Sequence, residues 1–312
     1  MIGLVRRMMS IVNRVLAVVD PLFSADGPAQ PDPLFIVGAP RSGTTLVYQI
    51  VTQQFRCAYF TRQFNYAYGA PNLLARMLRP FCRRPAAVFE SNYGSIAGWR
   101  APAEIGNFWF RWLPQDGVDG HYVEPREGAL DDYGRMRDTV GSLARIFGAP
   151  LVFKSVYLSM AIGVLAAIFP DARFVFVRRD PFFTSQSILV GRLKRRDPDA
   201  WWSVKIPGYR DLAGQPLWYQ ATEQVCATER IVERDLARHA DGRHFVINYE
   251  ELCARPRDIV ERLAAWLPEG FERYADPALP DAFPVSRRIT VSEETADRIR
   301  TQLRERNRWT AT

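Results

Sequence analysis

The sequence is poor in the residue types that build metal sites. Its 312 residues contain three histidines and four cysteines. The cysteines, at positions 57, 82, 226 and 253, lack the close pairing that zinc sites use, and nothing in their spacing requires disulfides. We therefore expect no metal cofactor, and a reducing, cytoplasmic compartment.

Long uninterrupted hydrophobic runs are also missing. Segment 1–23 is the most apolar, but three arginines and Asp20 interrupt it, and a membrane-spanning helix needs about 20 mostly apolar residues. The segment also lacks the clean apolar core and small-residue cleavage site of a signal peptide. We predict an amphipathic helix packed on the domain, with a linker up to residue 33. The alternative is a basic helix lying on a membrane surface, which would make the protein peripheral to the membrane.

The net charge and the composition exclude few classes of ligand or partner. The 41 Lys and Arg residues against 34 Asp and Glu give a net charge of +7, which suits anionic ligands, nucleic acid or anionic membranes. No signature of a nucleic-acid-binding fold accompanies this charge, so we expect no nucleic-acid partner. The basic segment 192–202 (RLKRRDPDAWW) is predicted to be a solvated face, with a flap over a cleft as the alternative.

The most informative segment is 34–49, which reads LFIVGAPRSGTTLVYQ. Four apolar residues suit a buried strand, a loop with Gly38 and Gly43 follows, and a helical pattern begins at Thr44. Unpaired backbone N–H groups and the positive end of a helix dipole converge in such a loop, which makes it an anion site. We predict that Arg41, Ser42, Gly43, Thr44 and Thr45 bind a phosphate-like group.

One position separates this loop from that of nucleotide hydrolases. The spacing of Gly38 and Gly43 is that of a phosphate-cradling loop, but Thr44 stands where those enzymes require Lys. The fixed cation is Arg41 inside the loop, whose planar guanidinium can bind two phosphate oxygens at once.

A second segment, 172–187, reads ARFVFVRRDPFFTSQS. Its apolar residues predict another buried strand that ends in two arginines, and Asp180 with Pro181 is typical of a helix start. Ligands of open α/β sheets bind outside the carboxyl ends of the strands. We therefore expect Arg179 and the Arg41 loop to share one cleft.

Together these segments resemble the sulfotransferases that use 3′-phosphoadenosine-5′-phosphosulfate (PAPS), in particular the tyrosylprotein-type and related bacterial members. The matching parts are PRSGTT at 40–45 and VRRDPFFTSQS at 177–187. The resemblance implies that the first motif holds the 5′-phosphosulfate end of the donor and that Arg179 and Ser187 hold its 3′-phosphate. NYEELCARP at 248–256 resembles a third, weaker family motif, which implies that Tyr249 lies near the nucleotide.

Alternating strand and helix patterns predict an α/β fold of the P-loop type. We expect a doubly wound, mainly parallel sheet with helices on both faces and a large helical and loop insertion near 62–149 for acceptor recognition. Residues 34–312 form a single sulfotransferase domain in this interpretation. Strands are predicted at 34–37, 57–61, 150–154, 173–177 and 244–248. Helices are predicted near 43–54, 71–80, 102–112, 131–147, 157–168, 181–194, 217–240, 256–267 and 291–306.

Lys154 is the candidate for stabilising the leaving group. It ends an apolar strand at the sheet edge where the ligand is expected, and a cation there can stabilise charge that develops on a phosphate. Tyrosylprotein-type sulfotransferases carry a lysine at a comparable strand end, and Lys154 matches it.

The general base is less defined by the sequence. Family members use Glu or His after the second strand or in the following insertion, but Thr61-Arg62-Gln63 stands after the second predicted strand, so the tyrosylprotein-type position is unmatched. A carboxylate among aromatic residues suits this role, and both Glu104 and Glu90 qualify. We place Glu104 first, although a position in the first turn of a predicted helix also suits dipole stabilisation. His121 is a third candidate.

The sequence thus predicts a PAPS-dependent sulfotransferase. It would transfer a sulfuryl group by in-line displacement to a hydroxyl or amine of a small molecule, sugar, lipid or peptide. One alternative is a P-loop phosphotransferase that uses ATP, since FVFVRRD superficially resembles a strand ending in a magnesium-binding Asp. Another is a non-catalytic, membrane-associated nucleotide-binding module.

Overall fold

The chain folds around four parallel strands in the order β2-β1-β3-β4. The strands are β1 (Leu34–Val37), β2 (Val152–Lys154), β3 (Arg173–Arg178) and β4 (His244–Asn248). The computed structural model describes residues 2–82, 84–85, 88–89, 96–125, 128–275 and 278–306, and the side chains of these except 2–6 and 129–132. The predicted α/β fold with a parallel sheet is confirmed.

Helices cover both faces of this sheet. The described α-helices are α1 (Ile2–Val19), α2 (Thr44–Gln54), α3 (Pro71–Leu78), α4 (Gly106–Trp109), α5 (Ala129–Phe147), α6 (Ile162–Ile168), α7 (Pro181–Leu193), α8 (Leu217–His239), α9 (Tyr249–Ala254), α10 (Pro256–Trp266) and α11 (Glu293–Glu305). Alternate residues of β1 point to opposite faces. Phe35 therefore joins a core with α5, α6 and α8, whereas Ile36 joins a second core with α2 and α10.

The strand order creates a crevice between β1 and β3. The chain leaves β1 for β2 on one side, and β3 pairs with β1 on the other side. Connections that diverge in this way open a space outside the carboxyl ends of the two strands. The loop after β1 and the residues after β3 both reach this space, as the sequence predicts.

The predicted strand 57–61 is wrong. Ala58 forms one isolated parallel bridge with Leu151, so pairing beside β2 does not extend into a strand. The next backbone acceptor on β2, the carbonyl of Val152, instead accepts a hydrogen bond from the Tyr48 hydroxyl. The predicted helix 102–112 also shortens to the single turn of α4.

Buried polar groups hold α1 against the domain. The Asn13 amide donates to the carbonyl of Tyr66 at 2.9 Å and accepts from the backbone N–H of Gly69 at 2.6 Å. A Cβ at Gly69 would lie 2.0 Å from the backbone carbonyl oxygen of Asn13, so only glycine permits this close approach of the two segments. Asp20 accepts hydrogen bonds from the backbone N–H and side-chain amide of Asn72 in α3.

No helix in the described part of the chain combines the length and apolar character needed to cross a bilayer.

We expect Asn13→Ala to lower the free energy of unfolding by about 1–3 kcal/mol, because it leaves the buried Gly69 N–H without its partner. Urea denaturation measures the change. Arg14→Ala alters the exposed neighbour and should change stability by less than about 0.5 kcal/mol. Equal stabilities of the two variants would contradict the anchoring role of Asn13.

Candidate active site

The loop after β1 is fixed by close backbone contacts. Gly38 has φ +151°, and a Cβ there would lie 2.6 Å from the carbonyl oxygen of Val177 in β3. The Ser159 hydroxyl accepts from the Gly38 N–H at 2.9 Å and donates to the Gly38 carbonyl at 3.0 Å. Because glycine alone fits this space, the loop is held tightly against the end of β3.

Arg41 occupies the tip of the loop in a left-handed conformation, with φ +71°. A residue other than glycine in this backbone conformation carries a cost of about 1–3 kcal/mol, and it persists only where surrounding contacts hold it. Arg41 Nε donates to the Ser187 hydroxyl at 3.0 Å, and the Arg41 carbonyl accepts from Arg179 Nη1 at 3.2 Å. Arg179 and Ser187, eight positions apart, are thus brought to one place through Arg41.

The third motif packs directly on the first two. The Tyr249 ring lies so close to Gly43 that a Cβ there would meet it at 2.2 Å. The Arg179 guanidinium lies over the same ring, 4.8 Å from its centroid, in a cation–π contact. Glu250 accepts a hydrogen bond from the Asp180 N–H at 3.1 Å. Burial raises the pKa of Tyr249 to about 12, which keeps its hydroxyl protonated at neutral pH.

These contacts enclose a small cavity of about 160 Å³. Its lining combines the loop after β1 with residues from five other parts of the chain, four of which contribute a cationic or aromatic side chain: Pro40, Arg41, Gly43, Thr44, Thr45, Leu46, Glu104, Lys154, Val156, Arg179, Trp202, Ser203 and Tyr249. Guanidinium groups, a helix N-terminus and an ammonium group together suit a ligand with several negative charges.

Lys154 and Glu104 form an ion pair in the wall of this cavity. Lys154 Nζ lies 2.5 Å from Glu104 Oε2, and the other carboxylate oxygen accepts from the Val156 N–H at 2.8 Å. The Lys154 side chain is 4% exposed and that of Glu104 is 22% exposed. A charge-assisted hydrogen bond offsets the loss of hydration of both groups. Glu104 is therefore held next to the Lys154 ammonium at the end of β2.

A second, larger pocket of about 550 Å³ adjoins the first. It lies in the insertion and is lined by a mixture of polar and aromatic groups: Arg62, Asn65, Tyr66, Ile96, Ala103, Glu104, Ile105, Gly106, Asn107, Phe110, Gln115, Val156, Tyr157, Trp202 and Ser203. Four residues belong to both linings, namely Glu104, Val156, Trp202 and Ser203. The carboxylate of Glu104 therefore lies at the boundary between the two pockets.

Most of the predicted site residues converge on the small cavity, and two do not line it. Ser42 is buried beneath the loop, and Ser187 reaches the site through its bond with Arg41. Among the described residues, neither Ser42 Oγ nor Arg179 Nε has a hydrogen-bond partner, although both atoms are buried. Glu90 lies outside the described residues. The roles assigned to all these residues remain predictions.

His121 occupies a structural position behind residues that line the larger pocket. Its Nδ1 accepts a hydrogen bond from the Lys205 N–H at 2.8 Å, and its ring packs against those of Phe110 and Tyr157. Burial, assisted by the Lys205 charge, lowers the pKa of His121 to about 4. The imidazole is thus neutral at pH 7, and it lines neither pocket.

Trp202 and Ser203 line both pockets and are not among the predicted site residues, although the alternative of a flap over a cleft for 192–202 places Trp202 near the site. The solvated face predicted for 192–202 holds for the exposed residues 194–196 but is wrong for Arg192, which is buried and donates to Gln220 at 3.0 Å. That buried arginine folds the segment back and helps to bring Trp202 to the site. The adjacent tryptophans at 201 and 202 were the available signal, since solvated basic segments seldom carry such a pair.

A sequence profile described as "Sulfotransferase family" matches residues 33–273. The chain is a member of the sulfotransferase family. This match covers every predicted site residue and confirms the resemblance carried by the three motifs.

Several solved structures are similar to this sulfotransferase. The sulfotransferase STF9 from Mycobacterium avium is 20% identical with a TM-score of 0.48, over 94% of this chain and 72% of that one. The sulfotransferase domain of the Synechococcus PCC 7002 olefin synthase is 14% identical with a TM-score of 0.46, over 93% and 98% of the two chains. The sulfotransferase STF1 from Mycobacterium tuberculosis is 16% identical with a TM-score of 0.46, over 94% of this chain and 78% of that one. The comparison with curated proteins gives no match.

We expect the stability of this sulfotransferase to fall between pH 6.5 and pH 4 partly through His121. Below pH 6.5 the unfolded chain binds a proton at this residue, whereas the folded chain binds it only near pH 4. The resulting loss is of order 2–3 kcal/mol. His121→Asn, whose Oδ1 can accept the same hydrogen bond, should flatten this part of the curve in urea denaturation. Parallel curves for the two proteins would contradict the pKa assignment.

Proposed function

We propose that this sulfotransferase transfers a sulfuryl group from PAPS to a hydroxyl or amine of an acceptor bound in the larger pocket. The observation that carries the proposal is the position of Glu104. Its carboxylate touches the Lys154 ammonium on the side of the phosphate-type loop and also lines the larger pocket. A base placed there can accept a proton from one substrate while a cation stabilises the other.

The small cavity supports an anionic, nucleotide-like donor. The loop from Arg41 to Thr45 would hold the 5′ end, and Arg179 with Ser187 would hold the 3′-phosphate, with Tyr249 beside the nucleotide. Arg179 Nε, which has no hydrogen-bond partner among the described residues, offers a further donor for phosphate oxygens. A guanidinium group can bind two oxygens of one phosphate, which suits Arg179 to this role.

The proposed reaction is a single in-line displacement. The acceptor oxygen or nitrogen forms a bond to sulfur as the bond from sulfur to the 5′-phosphate oxygen breaks, and the electron pair of that bond stays on the phosphate. Lys154 stabilises the negative charge that develops there. Glu104 takes the proton of the acceptor, so the products are a sulfated acceptor and 3′-phosphoadenosine-5′-phosphate.

The ion pair connects the proposed cation, Lys154, with the proposed base, Glu104. The Lys154 ammonium forms an ion pair with the Glu104 carboxylate. The anionic groups of the donor compete for the same ammonium, so their arrival weakens its bond with Glu104. The carboxylate then becomes available as a proton acceptor after the donor is in place.

Donor identity can be tested by thermal stabilisation with 3′-phosphoadenosine-5′-phosphate, ADP, and ATP with magnesium. At a hundred times its dissociation constant a ligand adds about 2.7 kcal/mol to stability. We expect this from the 3′-phosphorylated nucleotide only, and we expect Arg179→Ala to abolish it. Arg178→Ala is the matched control, because Arg178 pairs with Glu233 at 3.1 Å and does not line the cavity.

A preference for ATP with magnesium that survives Arg179→Ala would support the phosphotransferase alternative instead. Nucleotide binding with no transfer to any acceptor class would support the non-catalytic alternative.

Glu104→Gln should lower the rate of transfer by about 10²–10⁴-fold and leave nucleotide binding intact, because the amide cannot accept the acceptor proton. The measurement is transfer of radiolabelled sulfate from PAPS to a panel of phenols, sugars, lipids and tyrosine peptides. Glu124→Gln, an exposed carboxylate elsewhere in the insertion, is the control and should retain activity. Full activity of Glu104→Gln would overturn its role, and Glu90→Gln would then test the remaining carboxylate.

A further inference from the structure

Helix α1 and the 3₁₀ turn that follows it, Asp20–Phe23, expose a continuous apolar stripe. Its members recur at spacings of three and four residues, which places them on one side of the helix. Their exposed fractions range from 37% to 82%, and they are Met8, Ile11, Val12, Val15, Val18, Val19 and Leu22. Scattered exposed apolar residues are common on protein surfaces, but a stripe of seven along about four turns of one segment is not.

The orientation of this stripe is fixed by the rest of the fold. Asn13 and Asp20 lie on the opposite side of the helix and are hydrogen-bonded to the segment 66–73 of the domain. Both side chains are almost completely buried, at 2% and 3% exposed. The polar side of α1 therefore faces the protein and the apolar side faces outward, the reverse of the usual arrangement for a surface helix.

Positive charge accompanies the stripe. Arg7 and Arg14 are exposed, and each lies three or four residues from Ile11 or Val18, beside the apolar residues. Helix α1 contains no acidic residue. The chain up to residue 89 has ten arginines and three acidic residues, which equals the net charge of +7 for the whole protein. The remainder of the sequence is therefore electrically balanced.

A second copy of the chain is a poor partner for this surface. Pairing of two stripes would bring the arginines of both helices together with no carboxylate on either helix to compensate them. An anionic lipid surface offers both an apolar interior for the stripe and negative headgroups for the arginines.

We propose that the apolar stripe of α1 binds the surface of an anionic lipid bilayer, with the helix parallel to the membrane plane. The stripe would enter the boundary between headgroups and acyl chains, while Arg7 and Arg14 contact lipid phosphates. The Tyr66 carbonyl holds Asn13, and Tyr66 also lines the larger pocket. Membrane binding would therefore bring that pocket close to the lipid surface.

The test is flotation of the full chain with vesicles of phosphatidylcholine alone or of phosphatidylcholine with phosphatidylglycerol. We expect binding to the anionic vesicles that weakens as salt is raised. Val15→Asp/Val18→Asp should lower binding at least about tenfold, because two inserted side chains become charged. Arg7→Gln/Arg14→Gln should remove most of the preference for anionic vesicles.

Val118→Asp is the matched control, since Val118 is 93% exposed in the insertion and lies outside the stripe. Thermal unfolding verifies that every variant is folded.

Unchanged flotation of Val15→Asp/Val18→Asp, or no affinity of the wild type for anionic vesicles, would overturn the proposal. Self-association in light scattering without flotation, lost in Val15→Asp/Val18→Asp, would identify a second copy as the partner. The experiment needs neither donor nor acceptor, so its outcome is independent of the proposed reaction.

Discussion

The ion pair between Lys154 and Glu104 joins the two parts of the molecule that the proposed chemistry requires. Lys154 ends a strand of the central sheet, whereas Glu104 belongs to the insertion. Removing the Glu104 carboxylate would leave the Lys154 ammonium, whose side chain is only 4% exposed, without its ionic partner. The pair therefore fixes the insertion against the carboxyl edge of the sheet. The wall between the small cavity and the larger pocket depends on that placement.

Parallel strand order supplies the other requirement, a place where distant segments meet. The loop after β1 and the residues after β3 come from positions more than 130 residues apart, yet the crevice between these strands brings Arg41 and Arg179 into contact. The rigid sheet sets this geometry, so the loop can hold Arg41 in an unfavourable backbone conformation. Convergence of positive charge thus follows from the order of the strands.

The sheet, and the meeting of the loop after β1 with the residues after β3, could be predicted because their signals are local. A buried strand, a glycine loop and a helix start follow one another within a few residues at both motifs. The contact of Glu104 with Lys154 could not be predicted, since the insertion has no periodic pattern that fixes its register against the sheet. Strand 57–61 failed for a related reason: an aromatic, apolar run favours a strand, but a neighbouring hydroxyl takes the hydrogen bond that would extend the ladder.

The contact between Gly43 and the Tyr249 ring has a consequence for how this sequence can change. The ring occupies the volume that any Cβ at position 43 would need, so the aromatic residue itself excludes side chains there. Replacing Gly43 would require a smaller residue at position 249 and would still carry the cost of its φ of +97°. A substitution at Gly43 is therefore coupled to the residue at position 249, about 200 positions away. A chimera that took the phosphate loop from one relative and the tyrosine segment from another would have to keep this pair matched.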